Sequence, residues 1–214
     1  MERFNIVSVI PALNEENSIT KIINQVSKYS DVIVINDGSE DNTSYLANKC
    51  GATVIDHSKN LGYDASINSG FKKAKELNYE FVITLDADGQ HNPKFIQDFI
   101  KEFKNQKDVI VGIREKKQRF AEILFSYLTN FKWGIKDPLC GFKGYRLSIY
   151  NELGYFDKKG LIGTELLLFA ASRKYNLSQI NISGEKRVGK PRFGSKINAN
   201  LMILRALIIA LIQY

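Results

Sequence analysis

The stretch best suited to chemistry is FVITLDADGQH, residues 81–91. Its first five residues are apolar or β-branched, which predicts a buried parallel strand. Asp86, Asp88 and Gln90 follow at the carboxyl end of this strand, where open α/β sheets bind their ligands. Paired carboxylates at this position suit Mg²⁺ or Mn²⁺ carrying a phosphorylated substrate. The alternative is that Asp-Ala-Asp-Gly is only a polar turn after a strand.

The elements that would position these carboxylates alternate regularly through the first half of the chain. Apolar runs predict strands at 5–10, 31–35, 52–56, 81–85 and 109–113, and amphipathic segments between them predict helices. This alternation predicts an α/β fold, with a mostly parallel central sheet flanked by helices. Polar loops follow four of the strands and would converge on one sheet edge, which indicates a nucleotide site. These loops are residues 11–15, 36–41, 59–64 and 86–90.

Composition limits the class of protein. The chain has 214 residues and a net charge of +7, which fits one sizeable domain and favours anionic partners. No G-x-G-x-x-G follows the first strand and no P-loop Gly-Lys-Ser occurs, so NAD binding and ATPase-type binding are not expected. The two cysteines do not form a disulfide framework, which favours a reducing compartment. No apolar run reaches the roughly 18–20 residues that span a bilayer.

The second half of the chain is less regular. Helices are predicted at 119–133 and from Thr164 to about residue 174, with a short strand at 178–182. The segment 137–143 is interpreted as a turn, and 190–196 as a basic loop. We expect a catalytic domain over 1–198 and an apolar C-terminal helix over 199–214. That helix would lie in a membrane interface, or alternatively pack on the sheet or in a dimer interface.

Four loop sequences resemble those of family-two glycosyltransferases with a GT-A fold, the nucleotide-diphospho-sugar transferase fold. They are PALNEE (11–16), NDGSEDNT (36–43), NLGYDASINSG (60–70) and DADGQH (86–91). The later segments DPLCGFK (137–143) and RFGSK (192–196), with Glu165, are similar to the dolichol-phosphate mannose synthase and polyprenol-phosphate glycosyltransferase branch. Leu139-Cys140 departs from the small hydroxyl residues usual there, and Lys143 from the usual Arg.

The resemblance implies a role for each matched position. Asp86, Asp88 and Gln90 would hold the metal on the donor diphosphate, and the catalytic group would comprise Asp88, Arg114 and Asp137, with Asp137 beside the transferred sugar or the attacking group. The nucleoside side would be lined by Pro11, Ala12, Asn14, Glu15, Asp37, Asp41 and Asp64. Phosphates of donor or acceptor would meet Arg114, Arg119, Ser126 and Arg192, with Lys196 in the same basic loop.

The function expected from this resemblance is metal-dependent, inverting transfer of a hexose from a nucleotide sugar, of the GDP-mannose or UDP-glucose type, to a polyprenyl or dolichyl phosphate. Such an acceptor is already ionised, so it needs cations to position it and not a general base. A second hypothesis is transfer to a glycan hydroxyl in cell-surface polysaccharide synthesis, with Asp137 as the base. A third is a nucleotide-sensing or RNA-binding module, which the intact Asp86 and Asp88 argue against.

Several interpretations of single residues stay open at this point. Asp137 would also suit a turn before Pro, Glu165 an early-helix carboxylate, and His91 either a metal ligand or a polar contact. Cys140 is expected to be a packed thiol. We expect a membrane surface as partner, on the cytoplasmic side, and no nucleic acid, together with a homodimer or a separate membrane subunit.

Overall fold

The computed structural model describes residues 4–115, 119–183 and 196–214, and the side chains of residues 196 and 197 lie outside this description. The described residues form seven strands and eight α-helices. The strands are β1 Ile6–Ala12, β2 Asp31–Asn36, β3 Thr53–Asp56, β4 Phe81–Thr84, β5 Val109–Arg114, β6 Lys143–Arg146 and β7 Leu177–Ile182. The helices are α1 Ile19–Val26, α2 Thr43–Lys49, α3 Tyr63–Glu76, α4 Ile96–Lys104, α5 Phe120–Trp133, α6 Leu147–Leu153, α7 Glu165–Ser172 and α8 Lys196–Gln213.

The strands form one sheet in the order β3-β2-β1-β4-β6-β5-β7. All neighbours pair in parallel except β6, which is antiparallel to both β4 and β5. The prediction of a mostly parallel α/β sheet is therefore confirmed. The segment that follows 137–143 was not predicted as a strand, because β6 reads Lys-Gly-Tyr-Arg and has no apolar run.

Both faces of the sheet are covered by helices, which explains why the strands are apolar without alternation. Along β1, Val7 and Val9 point into one core with α3, α5, α7 and α8, and Ile6 and Ile10 point into the other with α1 and α4. The carboxyl ends of β1, β2 and β4 are thereby held at one edge of the sheet by two packed layers.

Helix α8 packs alongside α5 and is part of the same hydrophobic core. Its Ala199, Ile203, Ala206 and Ala210 are buried, and the Asn200 side chain accepts a 3.2 Å hydrogen bond from the Ala121 backbone N–H. The predicted C-terminal apolar helix is thus present, beginning at Lys196, with one face packed on the domain. Among the described residues, none of the helices combines the length and the hydropathy that crossing a bilayer requires.

Candidate active site

The loops after β1, β2 and β4 contact one another at the predicted edge of the sheet. The Ser18 hydroxyl lies 2.7 Å from Glu15 Oε2 and 2.8 Å from the Ala87 carbonyl oxygen, which ties the first loop to the Asp-Ala-Asp triplet. The Asn14 backbone N–H donates to the Ser39 hydroxyl at 2.9 Å, which ties the first loop to the second. The convergence of the polar loops is therefore confirmed.

Asp86 is the open carboxylate of this edge. Its side chain is 34% exposed, and its Oδ2 lies 3.3 Å from Nε2 of the buried His91. Gly141 packs directly against it, because a Cβ at that position would lie 2.6 Å from Asp86 Oδ2. Burial acts to raise the pKa of Asp86, but the hydrogen bond and charge of His91, with Lys143 and Arg114, outweigh it and lower that pKa. Asp86 is therefore ionised and able to bind a cation.

Asp88 is held more tightly than Asp86. It is buried, and its Oδ1 accepts a 3.0 Å hydrogen bond from the backbone N–H of Gln90. Gly89 between them has a φ of 77°, a left-handed conformation that glycine adopts at little cost. The parts of the chain that the structure describes contain no group of three or more His, Cys, Asp and Glu arranged for a metal. A divalent ion on a diphosphate needs only one or two protein carboxylates, so the pair fits such an ion.

Asp37 and Asp41, expected on the nucleoside side, organise the loops around them. Asp37 accepts hydrogen bonds from the backbone N–H groups of Leu61 (2.9 Å) and Gly62 (2.8 Å) and lies 2.7 Å from His57 Nδ1. Burial acts to raise the pKa of Asp37, and these hydrogen bonds outweigh it, so the pKa is lowered. Asp41 accepts from the backbone of Glu16 and of Thr43.

The first loop is shaped by the left-handed backbone conformation of Asn14. Asn14 has a φ of 51°, and its side-chain oxygen accepts from the Glu40 backbone at 2.9 Å. Pro11 and Ala12 are buried at the end of β1, and the Glu15 backbone N–H donates to the Thr43 hydroxyl at 2.7 Å. The four predicted positions therefore lie together. Pro11 and Ala12 form the buried end of β1, and Asn14 and Glu15 lie in the loop that follows it.

One chain of ion pairs lies at the end of β5 and links Arg114, Asp137, Glu122 and Arg119. Asp137 is fully buried, and both of its oxygens accept from the Arg114 guanidinium at 2.9 Å. Glu122, also buried, bridges Arg114 Nη2 (3.3 Å) and Arg119 Nη1 (2.8 Å). Burial acts to lower the pKa of Arg114, but Asp137 outweighs it and raises that pKa.

This network changes the interpretation of Asp137. The hypothesis of a glycan acceptor needed Asp137 as an open base, and the structure instead shows a carboxylate that is enclosed and bound at both oxygens by a guanidinium. Such a carboxylate holds Arg114 in place and is not available to accept a substrate proton. Sequence reasoning missed Glu122, since an acidic residue in the first turn of a helix carries no signal that distinguishes it from a solvated one.

The remaining predicted residues differ in their surroundings. Lys143 is buried, its Nζ donates to the Gly163 carbonyl oxygen at 2.8 Å, and burial lowers its pKa to about 8. Glu165 is fully buried and accepts from the backbone of Lys158 (2.8 Å) and from the Tyr214 hydroxyl (3.1 Å). Ser126 is buried on α5. Arg192 lies outside the described residues, as does the side chain of Lys196.

Asp64 lies at the start of α3 beside Gly163, where a Cβ would lie 3.5 Å from its Oδ1, and burial raises the pKa of Asp64 to about 7. Cys140 is fully buried, and burial raises the pKa of its thiol to about 12, which fits the expected packed thiol. His57, which the sequence left without a role, lies between Asp37 and the Ser69 hydroxyl (2.9 Å).

The sheet is mostly parallel, has acidic loops at its carboxyl edge and has one antiparallel strand beside β4, which Asp86 and Asp88 follow. This architecture is the GT-A glycosyltransferase fold. The chain belongs to glycosyl transferase family 2, whose model matches residues 8–154, and it is a glycosyltransferase. The match covers Asp86, Asp88 and Gln90, the network around Arg114 and the whole of β6.

Several curated relatives match over most of their length. An uncharacterized protein of Methanocaldococcus jannaschii is 32% identical over 71% of this chain and 76% of its own. A UDP-N-acetylglucosamine–dolichyl-phosphate N-acetylglucosaminyltransferase of Methanococcus voltae is 28% identical over 81% of this chain and 83% of its own. A dolichyl-phosphate hexose transferase of Haloferax volcanii is 26% identical over 86% of this chain and 84% of its own.

Among solved structures, the fold matches glucosyl-3-phosphoglycerate synthase of Mycobacterium tuberculosis. The complex of that enzyme with Mn²⁺ and UDP-glucose superposes with a TM-score of 0.76 at 21% identity, covering 97% of this chain and 77% of the other. Its complex with Mg²⁺ and UDP superposes with a TM-score of 0.75 at 19% identity, covering 97% and 78%. At this identity the likeness establishes the GT-A fold.

Proposed function

We propose that this glycosyltransferase moves a hexose from a nucleotide sugar to a polyprenyl phosphate, with inversion at the sugar carbon. The observation that carries the proposal is that Asp137, the base that a glycan acceptor would need, is enclosed and engaged by Arg114. Asp137 is bound by Arg114, Glu165 by backbone N–H groups, and Asp37 by His57 and backbone N–H groups. A phosphate acceptor is already ionised and needs no base, whereas a sugar hydroxyl does.

The relatives support the same acceptor class. The Methanococcus voltae and Haloferax volcanii proteins are named for transfer to dolichyl phosphate, and each aligns with more than 80% of this chain. A relative in Pseudomonas fluorescens is named as an undecaprenyl-phosphate transferase. The donor's base and sugar, of the GDP-mannose or UDP-glucose type, follow from the resemblance of the loops, and a UDP donor would match the Mn²⁺ and UDP-glucose complex of the structural neighbour.

A divalent ion, Mg²⁺ or Mn²⁺, would be held by Asp86 and Asp88 with help from Gln90. When bound, such an ion acts as a Lewis acid on the departing nucleoside diphosphate. The Asp86 carboxylate suits this role, because its side chain is partly exposed and its pKa is lowered. Asp88→Ala should abolish transfer and leave the fold intact, and full activity in the presence of EDTA would exclude the role of the metal.

The acceptor phosphate would bind beside Arg119 and the Arg114 network. Arg114 is balanced by Asp137 and Glu122, so its guanidinium is fixed in direction, and this preorganises donors for an incoming anion. Arg119→Ala should raise the apparent KM for polyprenyl phosphate about tenfold or more, with little effect on the KM for the donor. The exposed Arg173 offers the matched control Arg173→Ala.

A screen of donors against acceptors tests the proposal directly. Nucleotide sugars would be offered with short-chain polyprenyl phosphates or with glycan acceptors, each with Mn²⁺ and with EDTA. We expect transfer to the lipid phosphate, dependent on the metal. Preferential glycosylation of a glycan hydroxyl would refute the acceptor assignment, and binding of nucleotide sugars without any turnover would favour a sensing module.

We also propose that the protein binds the surface of a membrane, on its cytoplasmic face, through α5 and α8. Helix α5 exposes a stripe of large apolar side chains, and α8 beside it exposes a second set. These are Phe120, Ile123, Tyr127 and Phe131 on α5, and Leu201, Met202, Ile208 and Ile212 on α8. The exposed Arg205 would reach anionic headgroups from the second helix.

Liposome flotation tests this surface. The double variant Tyr127→Ser/Phe131→Ser should float less than the parent protein with anionic vesicles, because it removes two of the most exposed apolar side chains. Tyr45, which is 64% exposed on α2, offers the control Tyr45→Ser. No flotation of the parent protein with any lipid, together with a dimer in solution that the double variant disrupts, would assign the surface to a second copy of the chain.

A further inference from the structure

Asp37, just beyond the carboxyl end of β2, is surrounded by hydrogen-bond donors from the segment 57–62. Its Oδ1 accepts from the Leu61 backbone N–H at 2.9 Å and lies 2.7 Å from His57 Nδ1. Its Oδ2 accepts from the Gly62 backbone N–H at 2.8 Å. Because the pKa of Asp37 is lowered, the carboxylate is ionised and can only accept, so His57 Nδ1 carries the proton between them.

The imidazole of His57 is fixed at both of its nitrogen atoms. Its side chain is 8% exposed, and Nε2 lies 2.9 Å from the Ser69 hydroxyl of α3. The backbone N–H of His57 also donates to the Asn36 carbonyl oxygen at 2.9 Å, next to Asp37 itself. The orientation of the Asp37 carboxylate is therefore set by the fold before any ligand binds.

The donors around Asp37 leave one acceptor position for a ligand. The two oxygens of an ionised carboxylate offer about four lone-pair positions. His57 and Leu61 occupy both positions on Oδ1, and Gly62 occupies one on Oδ2. Within the ranges 4–115, 119–183 and 196–214, no other donor takes the second position on Oδ2, and the side chain is 7% exposed.

Asp37 lies where the base of a donor held at Asp86 and Asp88 would reach, and this step rests on the proposed function. β1 separates β2 from β4, so the two strand ends are two strand spacings apart, about 10 Å. The ribose and the α-phosphate bridge a distance of this order between the base and the β-phosphate. The first loop lies between the two ends and is tied to Ser39 on one side and to Ala87 on the other.

We propose that His57 is a specificity-determining residue, which fills Asp37 Oδ1, leaves room for a single N–H donor and so selects uracil over guanine as the base. The pairing edge of uracil presents one N3–H between two carbonyl oxygens, and this N–H fits the open position on Oδ2. Guanine presents N1–H and an amino group side by side, so its second donor would face an oxygen that is already occupied. A buried donor without an acceptor weakens binding enough to separate the two nucleotides.

Equilibrium binding of nucleoside diphosphates with Mn²⁺ tests the base directly and needs no acceptor. UDP should bind the parent protein about tenfold or more tightly than GDP, because guanine leaves one N–H unpaired. CDP is the control of equal size, since cytosine has a lone pair where uracil has N3–H, and it should also bind about tenfold or more weakly than UDP. GDP or CDP binding as tightly as UDP would overturn the proposal.

Variants of His57 test its part in this choice. His57→Leu frees one position on Asp37 Oδ1, so UDP should lose more affinity than GDP, and the preference for UDP should shrink about threefold or more. His57→Asn keeps an amide N–H near the position of Nδ1 and should retain most of the preference. Ser58→Ala, at the exposed neighbouring residue, should leave both affinities unchanged. An equal loss for both nucleotides in His57→Leu would reduce His57 to a structural support and overturn its role.

The inference and the proposed function fail in different ways. If none of the three diphosphates binds with Mn²⁺, the proposed donor class is wrong and the inference falls with it. If UDP binds but GDP or CDP matches it, the donor class stands and the selection of uracil fails. If His57→Leu does not fold, His57→Asn decides, because loss of the preference for UDP in that folded variant would contradict the role of the Nδ1 hydrogen bond.

Discussion

Gly141→Ala is a selective probe of the proposed metal site. A Cβ at this position would lie 2.6 Å from Asp86 Oδ2 and 2.9 Å from Oδ1. Carbon and oxygen atoms in contact stay at least about 3.3 Å apart, so the carboxylate must move by about 0.7 Å. The Asp86 side chain is 34% exposed and can move, so the cost in the free energy of unfolding should be only about 1 kcal/mol.

Function is far more sensitive to such a shift than stability. Metal–ligand distances are held within about 0.2 Å, and a displacement of about 1 Å at a reacting centre costs about 100-fold in rate. We therefore expect Gly141→Ala to fold, to lose Mn²⁺-dependent binding of a nucleoside diphosphate in isothermal titration, and to lose about 100-fold in kcat/KM.

Gly112→Ala is the matched control. Its Cβ would crowd Ile182 at 2.9 Å and the Phe142 carbonyl oxygen at 3.0 Å, so it strains the same segment without pressing on Asp86. It should destabilise the protein and retain metal-dependent binding. Normal Mn²⁺-dependent binding by a folded Gly141→Ala protein would refute the assignment of Asp86 as a ligand.

Three further predictions concern groups that the structure shows to be buried. Asp137→Ala leaves the Arg114 guanidinium without its bidentate partner and should lower the free energy of unfolding by about 3 kcal/mol, measured with urea; a loss below about 1 kcal/mol would contradict the geometry. Tyr214→Phe removes a hydrogen bond to the fully buried Glu165 and should cost about 1–2 kcal/mol, seen as a lower thermal midpoint. The Cys140 thiol, with a pKa of about 12, should not react with a thiol reagent at about pH 8 until the protein unfolds, whereas rapid modification of both thiols would disprove its burial.

Most of the sheet could be predicted from the sequence because its parallel strands are continuous apolar runs. Strand β6 could not, since Lys143 and Gly144 have low strand propensity and Lys143 is a charged residue in a buried position. Tertiary contacts hold β6 in the sheet, because β4 and β5 pair with it on both sides and Gly144 leaves space for Phe99 and Phe103. Neighbours of this kind are not visible in a local pattern.

The site was predicted better in its location than in its electrostatics. The sequence analysis assigned Arg114, among other cationic residues, to the phosphates of donor or acceptor. The structure shows instead that Arg114 is neutralised by Asp137 and Glu122, and that Lys143 is directed at the Gly163 carbonyl oxygen. Pairing between side chains 23 residues apart depends on the fold, so spacing alone could not reveal it.

The antiparallel direction of β6 has a consequence for how such enzymes diversify. β5 runs toward the active edge and β6 returns from it, so the chain leaves and re-enters the sheet at neighbouring positions, about 5 Å apart. The described residues 119–142, with α5 among them, belong to one excursion from this hairpin. An excursion of this kind can lengthen, shorten or be exchanged between homologues while the strand register stays the same. Selection for a new acceptor can therefore act on α5, provided that Gly141, which packs against Asp86, stays unchanged.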